Sequence, residues 1–346
     1  MNPLLARLHP YPFERLRQLS AGIVPPPQHR PISLGIGEPR HATPALIEQA
    51  LLQALPGLSS YPATAGEPAL REAFAGWLRR RYGVDVDPLT QTLPVNGSRE
   101  ALFAFAQVAI DAARPDATVV CPNPFYQIYE GAALLAGART AFANSDPDRS
   151  KFGNFAPDWS RIDAATWSQT QLLYVCSPGN PTGAVMPLAE WEKLFALSDR
   201  HGFVIASDEC YSEIYFRDEP PLGGLEAAAK LGRSDFRNLI AFTSLSKRSN
   251  VPGLRSGFVA GDAALMREVV AASAAHCRPA DRPDRHAAEQ ERHRPADQHA
   301  DEHQHDYILS RLIEYGHFCL CLFFLFRYCL TRYWSGRTAS GRRSVR

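Results

Sequence analysis

Between about residue 45 and residue 270, short apolar runs alternate with longer segments whose apolar residues recur at helical spacing. Continuous apolar runs are typical of strands that are buried on both faces of a sheet, and the helices between them supply the crossovers. The pattern therefore predicts an α/β domain with a mainly parallel sheet. The predicted strands cover residues 92–95, 118–121, 172–176, 203–207, 239–242 and 257–260.

The first 45 residues have a different pattern. They are rich in proline, with a helical stretch over residues 12–21, three prolines at 25–27 and an apolar, strand-like segment at 32–34. Proline donates no backbone hydrogen bond and favours extended backbone in the residue before it. We interpret residues 1–45 as an arm that lies over another part of the protein.

The pattern changes again near residue 275. Residues 276–306 contain no Val, Ile, Leu, Met, Phe, Trp or Tyr, but they hold six of the eleven histidines. A segment of this composition buries too little apolar surface to offset the entropy that is lost on ordering. We therefore predict disorder in the tail, residues 271–346. A metal-binding tract is the alternative interpretation of the histidines.

Residues 307–346 have the opposite composition, with an apolar run at 318–326 followed by a basic end and no capping or turn signals. A segment of this kind is compatible with a helix that aggregates or touches membranes. Because the composition changes abruptly where a folded domain should continue, we prefer another interpretation. The chain after about residue 275 resembles the product of a shifted reading frame.

Overall composition narrows the class of protein. A formal net charge of +1 with 21% charged residues does not favour nucleic acid as a partner. The seven cysteines form no C-x-x-C pair, no metal-site spacing is found, and the N-terminus shows no signal-peptide pattern. These features predict a cytoplasmic protein with free thiols. No membrane span is predicted, because Arg327 ends the apolar run at 318–326.

Candidate chemistry begins with Asn-Gly-Ser-Arg-Glu at 96–100, between the predicted strand 92–95 and an apolar helix over 101–110. The backbone N–H groups and the Ser98 hydroxyl of this motif would face an anion at a helix N-terminus, where a phosphate binds favourably. The alternative is a plain helix-capping turn.

A second motif, Ser-Pro-Gly-Asn-Pro-Thr-Gly at 177–183, directly follows the predicted strand 172–176. Its two prolines and two glycines favour one irregular backbone path that aims the Asn180 amide. Open α/β sheets bind ligands at the carboxyl ends of their strands. Taken alone, the same loop is equally compatible with a structural turn.

Asp208 follows the next predicted strand, and Tyr211 lies three residues further on. Burial raises the pKa of a carboxyl group unless a cationic partner keeps it ionised, and a protonated pyridine nitrogen is such a partner. If that pyridine ring belongs to a cofactor that also carries a phenolic oxygen, Tyr211 is placed to hydrogen-bond this oxygen. A helix cap is the alternative interpretation of an isolated Asp-x-x-Tyr pair.

Lys247 lies in Ser-Leu-Ser-Lys-Arg at 244–248, eight positions before Arg255. A lysine that loses its proton near neutral pH can hold a carbonyl cofactor as a Schiff base. This chemistry also needs hydroxyls and a guanidinium to hold a phosphate, and a carboxylate aimed at a pyridine nitrogen. Lys247 supplies the amine, Arg255 the guanidinium and Asp208 the carboxylate. The motifs at 96–100 and 177–183 supply the remaining polar groups, and all of these groups occur along the chain in the order that one cofactor would require.

In combination, these motifs resemble the fold-type I aminotransferases that use pyridoxal 5′-phosphate. The resemblance extends from residue 1 to about residue 270 and is greater still to the proteobacterial N-succinyl-LL-diaminopimelate aminotransferases of lysine biosynthesis. It implies an N-terminal arm and small-domain segment over 1–45, then a cofactor-binding large domain over 46–270 with a mainly parallel, seven-stranded sheet. Longer strings carry this resemblance, at residues 8–13, 34–39, 61–67, 121–131 and 246–253.

The resemblance also implies a role for each candidate residue. Lys247 would form the Schiff base and carry the proton, and Asp208 would keep the pyridine nitrogen protonated. Tyr211 and Asn180 would hydrogen-bond the phenolic oxygen. The other contacts implied are Tyr126 on the ring face, Ser98, Arg99, Ser244, Ser246 and Arg255 on the phosphate, Tyr61 on the phosphate of the neighbouring subunit in a homodimer, and Gly37 along the substrate pocket.

The sequence departs from this family in its last part. Family members end in a small domain that supplies an arginine for the substrate carboxylate, and nothing after about residue 275 resembles it. We therefore expect an aminotransferase by descent, with N-succinyl-LL-2,6-diaminopimelate and 2-oxoglutarate as the implied substrates. Because the small domain is lost, the activity of this form is in doubt. Two alternatives stay open: another pyridoxal-phosphate enzyme, such as a different aminotransferase or a C–S lyase, and a non-catalytic truncated product.

Overall fold

The computed structural model describes residues 2–30, 32, 34–146 and 155–275. The disorder predicted for residues 271–346 is wrong at residues 271–275, because these five residues continue a helix that ends at Ala275. The interpretations of the chain after residue 275, as disordered, metal-binding or frameshifted, concern positions outside this described part. No helix of the described residues is both long enough and apolar enough to cross a bilayer.

Seven strands form one sheet in the order β1-β7-β6-β5-β4-β2-β3. Strand β7 runs antiparallel to both of its neighbours, and the other neighbouring pairs are parallel. The predicted α/β fold with a seven-stranded, mainly parallel sheet is confirmed. The strands are β1 (Thr92–Val95), β2 (Thr118–Asn123), β3 (Arg139–Asn144), β4 (Thr170–Cys176), β5 (Val204–Asp208), β6 (Leu239–Ser244) and β7 (Gly257–Gly261).

Helices cover both faces of this sheet. On one face α3, α7 and α8 pack into one apolar cluster, and on the other face α4, α5 and α10 pack into a second. Consecutive residues of a strand enter opposite clusters, as Leu172 and Leu173 do. The helices are α1 (Pro12–Leu19), α2 (Ala45–Ala54), α3 (Pro68–Tyr82), α4 (Ser98–Ala109), α5 (Ile128–Leu135), α6 (Ala164–Gln169), α7 (Leu188–His201), α8 (Gly224–Lys230), α9 (Leu245–Arg248) and α10 (Ala263–Ala275).

Short 3-10 helices complete the described secondary structure, at Pro3–Arg7, Leu55–Ser59, Trp159–Arg161 and Pro252–Leu254. The arm contains the predicted helix as α1, which ends at Leu19, two residues before the predicted end. The strand expected at 32–34 is wrong for both of its described residues. Ile32 and Leu34 have irregular backbone and are 82% and 88% exposed, because neither lies beside a described strand that it could pair with.

The sheet brings several chain segments to one edge. The parallel strands β2, β4, β5 and β6 all end there, and β1 points the same way because two antiparallel pairings separate it from β6. Strand β7 begins at this edge. The N-terminus of α4 and the loops that follow β4, β5 and β6 therefore meet at the carboxyl edge, where open α/β sheets bind ligands.

Candidate active site

Asp208 is the last residue of β5 and is only 3% exposed. Its Oδ2 atom accepts a hydrogen bond of 2.7 Å from the Tyr129 hydroxyl, and its Oδ1 atom accepts one of 3.2 Å from the Cys210 backbone N–H. Burial raises the pKa of Asp208, and the Tyr129 hydrogen bond opposes this effect. A cation in front of this carboxylate would therefore be held strongly.

Three aromatic rings form a fixed wall beside Asp208. Tyr129 is fully buried on α5 and stacks on Tyr174, with ring centroids 4.6 Å apart and planes 14° apart. The Tyr174 hydroxyl donates to the Leu102 carbonyl oxygen at 2.8 Å, which ties this wall to α4. The ring of Tyr126 stands at 89° to that of Tyr129, with centroids 5.8 Å apart. The ring predicted to stack on a cofactor is therefore braced by the ring that contacts Asp208.

Arg99 lies against the outer side of Tyr126. Its Nε atom donates a 2.5 Å hydrogen bond to the Tyr126 hydroxyl, and its guanidinium carbon lies 5.5 Å from the ring centroid. This hydrogen bond raises the pKa of Arg99. In this arrangement the guanidinium holds the predicted stacking ring.

The arm approaches the site at Gly37. The Tyr211 hydroxyl lies 3.5 Å from the Gly37 carbonyl oxygen, at the limit of a hydrogen bond. A Cβ atom at position 37 would lie 3.0 Å from the same hydroxyl, so a glycine permits this approach. Burial, with smaller contributions from Cys210 and Asp208, raises the pKa of Tyr211 to about 12. Tyr211 therefore stays a neutral hydrogen-bond donor at ordinary pH.

The N-terminus of α4 and Arg255 form the anion-binding part of the site. The Arg255 Nη2 atom donates to Glu100 Oε2 at 2.8 Å, and its Nη1 atom donates to the Pro252 carbonyl oxygen at 3.2 Å. Gly97 precedes the helix with φ of 98°, and a Cβ atom there would overlap the Arg255 guanidinium, at 3.1 Å from Cζ. The glycine thus lets a guanidinium lie against a helix N-terminus, an arrangement suited to a phosphate. Ser98 is buried in the first turn, with its hydroxyl 2.8 Å from the Cys210 sulfur.

Lys247 is half-buried on the short helix α9. Ser244 caps this helix, because its Oγ atom accepts a 3.1 Å hydrogen bond from the Ser246 backbone N–H, and both serines are buried. The Leu245 N–H donates to the Ser256 carbonyl oxygen at 3.0 Å. This bond ties the start of the helix that carries Lys247 to the residue after Arg255.

The loop that carries Asn180 lies beside the end of β5. The Ser177 N–H donates to the Asp208 carbonyl oxygen at 3.1 Å, and the Asn180 N–H contacts the Cys176 sulfur at 3.3 Å. Peptide bonds are cis before both prolines of this loop, Pro178 and Pro181. The Gly183 N–H donates to the Gly179 carbonyl oxygen at 2.7 Å, so the motif is a tightly turned loop next to the buried carboxylate.

The structure brings nearly all of the predicted site residues to the carboxyl edge. Tyr61 differs from the others, since its side chain is 94% exposed and lies in the segment between the Leu55–Ser59 helix and α3. The predicted contact of Tyr61 with a neighbouring subunit stays a prediction. The residues that the structure places at the edge are Ser98, Arg99, Tyr126, Asn180, Asp208, Tyr211, Ser244, Ser246, Lys247 and Arg255, with Gly37 reaching them from the arm.

Sequence reasoning missed three residues of this site. Tyr129 contacts Asp208, Cys210 contacts Ser98, and Glu100 pairs with Arg255. Helical spacing does not relate Tyr129 to Tyr126, because Tyr126 lies before the start of α5 at Ile128. No local pattern distinguishes Tyr129, Cys210 or Glu100.

The residues present fit pyridoxal 5′-phosphate. The cofactor presents a phosphate, a pyridine nitrogen, a phenolic oxygen and an aldehyde. The cradle that a Cβ atom at Gly97 would fill suits the phosphate, and the buried Asp208 carboxylate suits a protonated ring nitrogen. Tyr211, Asn180 and Lys247 lie at the same edge of the sheet as Asp208, and Lys247 is an amine of the kind that condenses with an aldehyde.

An α/β sheet with this strand order and with a lysine, a buried aspartate and an anion cradle at its carboxyl edge defines the class of pyridoxal-phosphate-dependent transferases. The chain belongs to the aminotransferase class I and II family, which it matches over residues 30–283. The predicted family is therefore confirmed.

Two solved structures share the fold at substantial identity. An aminotransferase from Neisseria meningitidis Z2491 has a TM-score of 0.76 and 52% identity, over 80% of this chain and 69% of that chain. Aminotransferase AspB from Helicobacter pylori 26695 has a TM-score of 0.71 and 39% identity, over 77% of this chain and 68% of that chain.

Curated relatives include the LL-diaminopimelate aminotransferase of Nitratidesulfovibrio vulgaris (strain DSM 19637 / Miyazaki F). It is 34% identical over 265 residues, which cover 76% of this chain and 65% of the relative. The chain thus spans about two thirds of the length of this relative. The name of the relative does not include the succinyl group that the sequence strings imply.

Proposed function

We propose that this chain binds pyridoxal 5′-phosphate and acts as an aminotransferase between an amino acid and a 2-oxo acid. One observation carries the proposal. A buried carboxylate, a half-buried lysine and an arginine packed on a helix N-terminus meet at the same edge of the sheet. Each group matches one part of this cofactor.

The bound cofactor would supply an aldehyde that exchanges amines and a ring that accepts electrons from the substrate carbon. Lys247 would hold the aldehyde carbon and would carry a proton to and from the substrate α-carbon. Asp208 would pair with a protonated ring nitrogen, because a buried carboxylate needs a cationic partner to stay ionised. Tyr211 and Asn180 would orient the phenolic oxygen, and Arg255 would hold the phosphate by charge-assisted hydrogen bonds.

For the substrates we propose N-succinyl-LL-2,6-diaminopimelate as amino donor and 2-oxoglutarate as acceptor. The longer sequence strings support the succinylated donor, and the name of the Nitratidesulfovibrio relative supports a diaminopimelate skeleton. Glutamate formation from a panel of amino donors with 2-oxoglutarate tests this choice. Release of pyruvate and ammonia from a cysteine conjugate would instead identify a C–S lyase.

We also propose a homodimer in which Tyr61 reaches the phosphate of the other subunit. The 94% exposure of the Tyr61 side chain supports this role, because an aromatic ring so exposed is available to a second copy. Mixing the Lys247→Ala and Tyr61→Phe chains tests it. Hybrid dimers would regain one intact site and part of the activity, and no regain would count against the shared site.

Borohydride reduction tests the cofactor site itself. The protein is incubated with pyridoxal 5′-phosphate, reduced, digested and analysed by mass spectrometry. We expect a phosphopyridoxyl group on Lys247 in the natural chain and its loss in Lys247→Ala. Lys230 is a matched control, because it is a surface lysine that pairs with Glu226 at 2.7 Å, and Lys230→Ala should label normally. An unlabelled Lys247 in folded protein would refute the proposal.

Turnover is measured separately from labelling. A chain that labels at Lys247 but transfers no amino group would be a non-catalytic product, the second candidate function. This outcome bears on the proposed division into an arm (1–45), a large domain (46–270) and an off-pattern tail (271–346), because the tail stands where the family has its small domain. Sequencing the coding DNA around codons 270–280 would show whether a restored frame encodes the expected small domain.

A further inference from the structure

A second buried carboxylate lies directly after Asp208. Glu209 is 1% exposed, and it accepts hydrogen bonds from the Tyr82 hydroxyl at 2.9 Å, the Ser207 hydroxyl at 2.9 Å and the Gly224 N–H at 2.7 Å. Burial raises the pKa of Glu209, and these three donors oppose the shift. The proposed cofactor chemistry does not use this group.

The pocket around Glu209 is built to close tolerance. A Cβ atom at Gly223 would lie 2.8 Å from Glu209 Oε2 and from the Tyr82 ring. A Cβ atom at Gly224 would lie 2.9 Å from the Trp191 ring and 3.3 Å from Glu209 Oε1. Two consecutive glycines therefore admit the carboxylate between α3 and α8.

Asp208 and Glu209 point to opposite faces of the sheet. Asp208 contacts Tyr129 on α5, and Glu209 contacts Tyr82, the last residue of α3. The Glu209 N–H also donates to the Phe242 carbonyl oxygen at 2.9 Å. The contacts of Glu209 therefore fix the end of β5 on the face opposite Asp208. Rotation of the backbone at the end of β5 would break all of these hydrogen bonds.

Helix α3 also supports the neighbour of Lys247. The guanidinium carbon of Arg248 lies 4.3 Å from the centroid of the Trp77 ring, a cation–π distance. Trp77 in turn meets Tyr82 edge to face, with centroids 5.5 Å apart and planes 76° apart. One helix therefore contacts the residues that follow both Asp208 and Lys247.

We propose that Tyr82 and Glu209 are positioning residues that hold the Asp208 carboxylate in line with a cofactor on Lys247. The proposal rests on the proposed function. Both residues lie on the face of the sheet opposite Tyr129, and both act on Asp208 through the backbone at the end of β5. Placement of a charged group to within about 0.5 Å is what such supporting contacts provide.

The first test compares Tyr82→Phe with a matched control. Tyr82→Phe removes only the hydroxyl that donates to Glu209 and keeps the ring packing. The control is Ser198→Ala, which removes a buried hydroxyl that donates to the Phe203 carbonyl oxygen at 2.6 Å within the α7 region. We expect Tyr82→Phe to weaken pyridoxal-phosphate affinity about tenfold and to shift the visible absorbance of the bound cofactor. Ser198→Ala should lower stability and leave both readouts unchanged.

The second test asks whether geometry at position 209 suffices. Glu209→Gln keeps one oxygen for the Ser207 and Gly224 donors, and its amide can donate to the Tyr82 hydroxyl. Glu209→Gln should therefore keep the cofactor affinity that Glu209→Ala loses. Tyr82→Phe with the affinity and spectrum of Ser198→Ala would overturn the inference. Absence of cofactor labelling in the natural chain would overturn the proposed function instead.

Discussion

The hydroxyl of Tyr129 donates a 2.7 Å hydrogen bond to Oδ2 of Asp208, and both side chains are buried. Burial raises the pKa of Asp208, and among the groups that lower it the Tyr129 hydroxyl has the largest effect. Stacking on Tyr174 fixes the direction of this hydroxyl. Tyr129 is therefore the described side chain that does most to keep Asp208 available as an anion.

Tyr129→Phe should weaken the cofactor site without disturbing the core. The ring and its stacking remain, but Asp208 loses a hydrogen bond, and hydrogen bonds to charged groups contribute about 1.5–3 kcal/mol. We expect pyridoxal-phosphate affinity to fall at least about tenfold, measured by equilibrium dialysis against the cofactor.

Tyr174→Phe is the matched control for this prediction. Tyr174 is an equally buried tyrosine in the same stack, but its hydroxyl donates to the Leu102 carbonyl oxygen and not to Asp208. Its loss should lower stability by about 1 kcal/mol and affect affinity less than Tyr129→Phe does. Equal losses of affinity in the two variants would show that the stack, and not the hydrogen bond, matters.

Asp208→Asn should stabilise the protein when no cofactor is added. The pKa of Asp208 is raised in the folded chain, so the folded chain binds this proton more tightly than the unfolded chain does. The stabilising contribution of Asp208 is therefore present at low pH and is lost as pH rises through the folded pKa. Asparagine stays neutral and avoids this loss.

Urea unfolding against pH measures the effect. At neutral pH, Asp208→Asn should be more stable than the natural chain, and the difference should shrink as the solution is acidified. With saturating pyridoxal 5′-phosphate the order should reverse, because asparagine cannot pair with a protonated ring nitrogen. A variant that is less stable at every pH would contradict the buried-carboxylate interpretation.

The strands and the site edge could be predicted from sequence for the same physical reason. Central parallel strands are buried on both faces, so they appear as continuous apolar runs, and the polar residues that follow them lie at the carboxyl edge. All six strands predicted from these runs formed within two residues of their expected bounds. Strand β3 at Arg139–Asn144 had no such run, because it is an edge strand with an exposed start and end.

The supporting contacts of the site could not be predicted, because they join distant parts of the chain. Tyr129 is 79 positions from Asp208, and Tyr82 is 127 positions from Glu209. Nothing local distinguishes a tyrosine that donates to a buried carboxylate from one that only packs in a core. The family motifs identified the groups expected to contact the cofactor, and only the structure identified the groups behind them.

Glu100→Gln should strengthen phosphate binding. The Glu100 carboxylate pairs with the Arg255 guanidinium at 2.8 Å, and the two side chains are 53% and 33% exposed. An arriving phosphate must compete with this carboxylate for the guanidinium. Because exposed ion pairs contribute only about 0.2–1 kcal/mol, we expect affinity for the cofactor to rise by at most about fivefold.

The gain in Glu100→Gln should disappear at high salt, where exposed charges are screened. Titration of the cofactor at low and high ionic strength measures this. Glu226→Gln is the matched control, since it removes a surface ion pair with Lys230 far along the chain, on α8. Weaker binding in Glu100→Gln than in this control would mean that Glu100 positions Arg255 for the phosphate and does not compete with it.

Gly97→Ala should block the anion cradle. The new methyl group would overlap the Arg255 guanidinium and would lie 3.0 Å from Glu100 Oε2, so Arg255 must move away from the α4 N-terminus. The substitution also strains the backbone, because φ at Gly97 is 98°.

Gly202→Ala separates the steric effect from the backbone strain. Gly202 has φ of 79°, and a Cβ atom there meets nothing within 4 Å. Both variants should lose about 1–2 kcal/mol of stability. Only Gly97→Ala should also lose affinity for pyridoxal 5′-phosphate, by at least about tenfold, since the guanidinium contact is charge-assisted. Equal affinity in the two variants would place the phosphate away from Gly97 and Arg255.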